Sequence, residues 1–206
     1  DHCTSFKTIV QCIQYGYTSV MIDGAALPYE ENVALVKKVA EMAHGVGVAV
    51  EGELGRIGGT EDELTVSERE AAFTVPEEAE DFVRATGIDT LAIAIGTAHG
   101  IYKGEPKLDF DRLAAIRERV SIPLVLHGAS GVPDESIRRA IQGGICKINI
   151  ATELKLPMAN AIQEVFRRNP RETDPRKYMG AAREAVKETV RQKIRLFGSS
   201  GLADDK

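Results

Sequence analysis

Short apolar runs alternate along this chain with longer stretches whose apolar residues return every three or four positions. Phe6, Ile9, Val10 and Ile13 recur at i, i+3, i+4 and i+7, which predicts a helix closed by Gly16. The same period predicts helices over residues 30–44, 76–86, 109–118, 133–142, 153–168 and 175–196. Asp109 serves as a cap, and Pro133 is expected at a first helical position. Between these lie runs rich in Val, Ile and Leu, over 18–22, 48–54, 90–95, 122–126 and 145–150, which predict strands. Strand and helix alternate at roughly the spacing of βαβ units, so the class is α/β with a parallel sheet.

A barrel and an open doubly wound sheet both satisfy that alternation. No GxGxxG or Walker sequence follows a strand, which counts against a nucleotide-binding open sheet. Residues capable of chemistry instead follow several different strands, as in a (β/α)8 TIM barrel. Five strands and a strand end at Asp1-His2 fall short of eight. The expectation is a single barrel domain over residues 1–206 lacking its first two strands and most of the third. Residues 55–74 are polar and acidic, include Gly58-Gly59, and are expected to be a long structureless loop of the kind that serves as a lid.

Composition narrows the function. The net charge of −5 argues against a nucleic-acid surface. No apolar run is long enough to span a membrane, and no signal peptide is visible. Three cysteines, Cys3, Cys12 and Cys146, form no CxxC pair and read as reduced thiols of a cytoplasmic protein.

His2, His99 and His127 each sit where a strand ends. One such histidine is ordinarily a loop hydrogen-bonding group. Three after parallel strands make a better case for a metal, because three imidazoles with one open position mark a catalytic zinc site. His44 ends a helix before Gly45 and reads as structural. Asp1 could exchange a proton with a substrate oxygen beside a metal, and Glu61 could be carried in by the glycine-containing loop. Glu51 and Glu53 share one face of their strand, and a pair of carboxylates inside a barrel needs cationic partners. Glu53, nearer the strand's end, is the better site candidate. Gly128-Ala129-Ser130-Gly131 offers backbone N–H groups to an anion, and Ser130 with Asn149-Ile150-Ala151-Thr152 follows the last two strands, where barrels commonly hold phosphate. Capping by Thr152 is the plain alternative.

Taken together these residues resemble the class II, metal-dependent ketose-bisphosphate aldolases. The segments that carry the resemblance are Asp1-His2-Cys3, Ser19-Val-Met-Ile-Asp-Gly24, Glu51-Gly-Glu-Leu-Gly55 with Gly58-Gly59 and Glu61-Asp62, Gly96-Thr-Ala-His-Gly100, Val125-Leu-His-Gly-Ala-Ser130, Lys147-Ile-Asn-Ile-Ala-Thr-Glu153 and Asp174-Pro-Arg176. The resemblance implies zinc on His2, His99 and His127, Glu53 as a second metal position, and a monovalent cation as a further ion. It implies Asp1 as proton donor at the aldehyde oxygen and Glu61 as the base at the dihydroxyacetone phosphate carbon. Gly100, Gly128 to Ser130 and Asn149 to Thr152 would hold dihydroxyacetone phosphate, and Arg176 would reach a neighbouring subunit's substrate.

The implied reaction is cleavage of a ketose 1,6-bisphosphate to dihydroxyacetone phosphate and glyceraldehyde 3-phosphate. A Lewis acid on the ketone oxygen would make a Schiff-base lysine unnecessary. Ala129, Ala151 and the run to Lys155 look like the tagatose-bisphosphate branch rather than the fructose-bisphosphate one. The implied partners are a second copy of the chain, as homodimer or homotetramer, and a companion non-catalytic aldolase subunit. A non-catalytic aldolase-like domain and a zinc hydrolase on a barrel are the competing readings; phosphate grips after the last strands speak against the hydrolase.

Overall fold

A computed structural model describes residues 1–61, 64–66, 72–102 and 104–203. Its first half runs α1 (Phe6–Gln14), β1 (Ser19–Ile22), α2 (Tyr29–His44), β2 (Ala49–Leu54), β3 (Gly58–Glu61), β4 (Leu64–Val66), α3 (Pro76–Thr86) and β5 (Thr90–Ile93). It continues with β6 (Ala98–His99), α4 (Phe110–Arg119), β7 (Leu124–Leu126), α5 (Asp134–Gln142), β8 (Ile145–Ile148), α6 (Thr152–Arg168) and α7 (Pro175–Leu196).

β1, β2, β5, β7 and β8 form one parallel sheet in that spatial order, which is also their order along the chain. An open doubly wound sheet reverses direction at a switch point; this one never does. With right-handed crossovers, such an order sends every helix to the same face. The central strands β2, β5 and β7 are buried almost throughout, as expected when both faces are covered. On β8 Cys146 and Lys147 are exposed. Cys3 bridges Ile22 in parallel, so a further strand end lies outside β1. The helices close over a core that includes Val36, Phe82, Leu113, Ile116 and Ile137, all at most 1% exposed. Gly52 on β2 lets that layer come close: a Cβ there would lie 3.1–3.2 Å from Val36, Ile88 and Phe82.

The sheet is strongly curled. Asp1, beyond the β1 edge, lies 2.7 Å from Asn149, just after β8 at the other edge. Four inter-strand spacings of about 4.8 Å would hold the two edge strands of a flat sheet about 19 Å apart. Only a sheet wrapped around an axis can join them, so the chain has β/α-barrel architecture.

Two sequence expectations need correction. Residues 55–74 are not structureless: β3 pairs antiparallel with β4 and parallel with β6, giving a second, three-stranded sheet. β3 opens with two glycines and owes little to β propensity; it forms because β4 and β6 offer partners on its two sides. Pro133 is the N-cap of α5, with extended ψ of 140°, rather than its first residue.

At the end of the barrel away from the histidine cluster, Asp89 joins two units. Its Oδ2 accepts from Val50 N at 2.7 Å and His44 Nε2 at 2.8 Å. Burial raises the Asp89 carboxyl, but these hydrogen bonds outweigh it and leave the pKa below its ordinary value. A depressed folded pKa gives stability that is present above the unfolded pKa and lost as pH falls through the folded one. Asp89→Asn should therefore cost about 1 kcal/mol at neutral pH, a value already reduced for the site's exposure. The difference from wild type should shrink in urea titrations below about pH 4. A pH-independent difference would exclude the charge as its source.

Candidate metal centre

Three imidazoles meet at the ends of the strands. His2 precedes the Cys3 bridge, His99 closes β6, and His127 follows β7. His2 has a left-handed φ of 47°, unusual for a non-glycine residue, just before the bridge of Cys3 to the C-terminal end of β1. The ring centroids of His2 lie 4.7 Å from His99 and 4.5 Å from His127, and the His99–His127 pair is 6.2 Å apart. One donor atom from each of the three falls within 4.8 Å of the other two.

Carboxylates stand behind two of these rings. His2 Nδ1 lies 3.0 Å from Asp23 Oδ2 and 3.7 Å from Glu53 Oε2. His127 Nε2 donates to Glu51 Oε1 at 2.8 Å. Each bond fixes a tautomer and leaves the opposite nitrogen, Nε2 of His2 and Nδ1 of His127, as the metal-facing atom. Burial pushes the His127 pKa down more than its bond to Glu51 raises it, which favours the neutral ring that a metal requires. Three converging imidazoles, two of them held by carboxylates, suit a zinc-like cation. His2, Asp23 and Glu53 form a second group of candidate ligands.

Glu51 is a hub. Besides His127, its Oε2 accepts from Lys147 Nζ at 2.8 Å and Thr90 Oγ1 at 3.3 Å. Burial alone would raise the Glu51 carboxyl; the bonds from His127 and Lys147 outweigh it and hold the pKa below its ordinary value. Asp23 behaves likewise: burial raises it, while His2 and the Ala25 N–H bring it below its ordinary value. Asn149 Nδ2 donates to Asp1 Oδ2 at 2.7 Å and lies 3.2 Å from His127 Nδ1, so it aims the Asp1 carboxylate at the cluster.

The sequence candidates do not all meet at the cluster. Asp1, His2, Glu53, His99, His127 and Asn149 are gathered at the cluster. Gly100, Gly128 and Ala129 follow two of the histidines directly, Ala129 being 1% exposed, and Ile150 packs on the core beside Asn149. Ser130 is buried and its Oγ accepts from Ala151 N and Glu153 N, both at 3.3 Å, so it caps α6 across the barrel mouth. Ala151 is the N-cap position and Thr152 the first helical residue, so the anticipated cap at Thr152 comes from Ser130 instead. Arg176 stands at the start of α7 with its guanidinium bonded to both oxygens of Asp174 and exposed to solvent. Glu61 pairs with Leu64 in the hairpin through its backbone; its side chain, like all of Asp62, lies outside the described residues.

Sequence reasoning named Asp23 only within a matching segment, gave Glu51 no role of its own, and did not pair Lys147 with it. The available signals were Asp23's place at a strand's C-terminal end and the shared parity of Glu51 with Glu53.

A curled parallel sheet with three histidines and their carboxylates at one mouth defines a metal-dependent barrel enzyme. The family described as fructose-bisphosphate aldolase class-II matches residues 1–202, and the chain belongs to that family, whose members are zinc-dependent carbon–carbon lyases. It is 52% identical over 201 residues to the D-tagatose-1,6-bisphosphate aldolase subunit GatY of Klebsiella oxytoca, covering 98% of this chain and 71% of that protein. The crystal structure of the YdjI aldolase from Escherichia coli superposes with a TM-score of 0.83 at 40% identity, over 98% of this chain and 69% of that one. Fructose-bisphosphate aldolase from Campylobacter jejuni, at 22% identity and TM-score 0.69, shares the fold over 92% of this chain and 63% of its own.

Removing the Ser130 hydroxyl tests its capping role. Ser130→Ala should lower stability by about 1 kcal/mol in urea denaturation. No change in the midpoint would release Ser130 from α6.

Proposed function

We propose that this chain is a zinc-dependent aldolase that reversibly cleaves a ketose 1,6-bisphosphate, with tagatose 1,6-bisphosphate preferred, to dihydroxyacetone phosphate and glyceraldehyde 3-phosphate. The observation that carries the reading is the convergence of His2, His99 and His127, two of them braced by buried carboxylates, in a chain of this family. The 52% identity to a protein named for tagatose bisphosphate, and the alanines at 129 and 151, favour that sugar over fructose 1,6-bisphosphate.

His2, His99 and His127 would hold the zinc, with Glu53 as a second position. When bound, the ion supplies a Lewis acid for the ketone next to the breaking bond. Asp1, held by Asn149, takes the proton from the hydroxyl that becomes the aldehyde, and returns it in the condensation direction. Glu61 exchanges the proton at the carbon that becomes nucleophilic. Gly100, Gly128 to Ser130 and Asn149 to Thr152 hold the dihydroxyacetone phosphate portion, and a monovalent cation would be a further ion. No Schiff-base lysine is required: Lys147 is bound to Glu51 behind His127.

We assign a homodimer or homotetramer, in which Arg176 reaches the neighbouring substrate. Leu156, Phe166, Met179, Val190 and Ile194 leave an apolar surface on α6 and α7 that suits association. The relative's name as a subunit supports a companion non-catalytic chain. Among the described residues no helix is long and apolar enough to cross a membrane, and Cys3, Cys12 and Cys146 are free thiols; both support a cytoplasmic location.

The zinc-loaded enzyme should cleave tagatose 1,6-bisphosphate with kcat/KM about tenfold or more above that for fructose 1,6-bisphosphate in a coupled dehydrogenase assay. A reversed ratio would assign the fructose sugar, and failure to cleave either would refute the aldolase reading. Glu51→Gln should weaken zinc about 10-fold in chelator competition, because the His127 ring loses its charged brace. Unchanged affinity would remove Glu51 from the metal's support.

A further inference from the structure

The loop after β6 contains a tyrosine whose hydroxyl bonds to two backbone groups. Tyr102 Oη accepts from Ala98 N at 2.7 Å and donates to Gly128 O at 2.8 Å. Ala98 immediately precedes His99, and Gly128 immediately follows His127. One hydroxyl thus clasps the two segments that present two of the three imidazoles. The ring itself is half-buried against the core, with Cδ2 3.4 Å from where a Cβ on Gly131 would stand.

The same segments meet through bare backbone. Gly128 has a φ of 63°, and a Cβ there would lie 2.7 Å from the Ala98 carbonyl carbon and oxygen. Gly59, with φ of 98°, packs its Cα against the His99 backbone and pairs with His99 in the second sheet. A contact path therefore runs from the hairpin of Glu61 through His99 and Ala98 to the Tyr102 hydroxyl, Gly128 and His127. The nearest atoms to a Cβ at Gly128 are Ala98 backbone, so the spacing there depends on the tyrosine clasp and on glycine packing.

We propose that Tyr102 is a positioning residue for the metal centre: its hydroxyl sets the separation of His99 and His127, and with it the affinity and geometry of the bound ion. This rests on the zinc reading above. Loss of the hydroxyl leaves the Ala98 N–H and the Gly128 carbonyl to find water, and the two segments part.

Tyr102→Phe keeps the ring and removes the clasp, while Tyr102→Leu also removes the ring. Cobalt(II) titration of the metal-free enzyme reads both affinity and coordination, the latter through its visible d–d bands, without recourse to activity. Tyr102→Phe should bind cobalt about tenfold more weakly, with shifted or weakened bands. The zinc-loaded variant should lose kcat with little change in KM. Tyr29→Phe, which removes a hydroxyl bonded to the Glu78 carbonyl between α2 and α3, should leave the cobalt spectrum unchanged. If Tyr102→Phe matches wild type in affinity and spectrum, whether or not Tyr102→Leu is impaired, the hydroxyl has no positioning role and the proposal is overturned. If the wild-type enzyme binds no cobalt or zinc, the metal reading falls first and this inference with it.

Discussion

Glu51 cannot lie charged inside the barrel unless three other elements reach it at once. Its carboxylate is 4% exposed, and an unpaired charge at that depth would take up a proton rather than remain ionised. Lys147 from β8 supplies the opposite charge, Thr90 from β5 a hydroxyl, and His127 beyond β7 a ring N–H. Three strand spacings separate β2 from β8, so the ion pair requires the curl that turns a sheet into a barrel. The same carboxylate decides which nitrogen of His127 carries hydrogen. Sheet curvature, buried ion pair and imidazole tautomer are thus one constraint seen at three scales.

Asp23 repeats the arrangement for His2 on the other side of the mouth, with a shorter list of partners. Both carboxylates sit on the barrel's own strands or at their ends, where backbone hydrogen bonding leaves little freedom. Rigid supports of this kind keep a ligand set within the small tolerance a metal imposes.

Much of this was legible in the sequence wherever the signal was local. Pro76 and Gly87 bracket α3, and Asp174-Pro175 opens α7, because caps and prolines act on the turn they occupy. His99 and His127 could be read as site residues because each follows a recognisable apolar run. β3 was not legible as a strand, since its two glycines and Glu61 make one only between β4 and β6. Ser130 was legible as part of a Gly-rich turn, but its bonds to the first N–H groups of a helix that begins 22 residues later were not. Tyr102 bonds to backbone atoms, which no residue letter displays. Glu51 was visible as a buried acid, but Lys147 and His127 as its partners depend on the curl.

The sequential strand order has a kinetic consequence. Each strand pairs with its predecessor across one helix, so the sheet can grow unit by unit with modest loop-closure entropy. The centre does not share this economy: Asp1 meets Asn149 across 148 positions, Lys147 meets Glu51 across 96, and His127 meets Glu51 across 76. Contacts of such high order close the longest loops in the chain, so the loop-closure entropy of the fold is concentrated at the mouth of the barrel, in the same residues that gather the imidazoles.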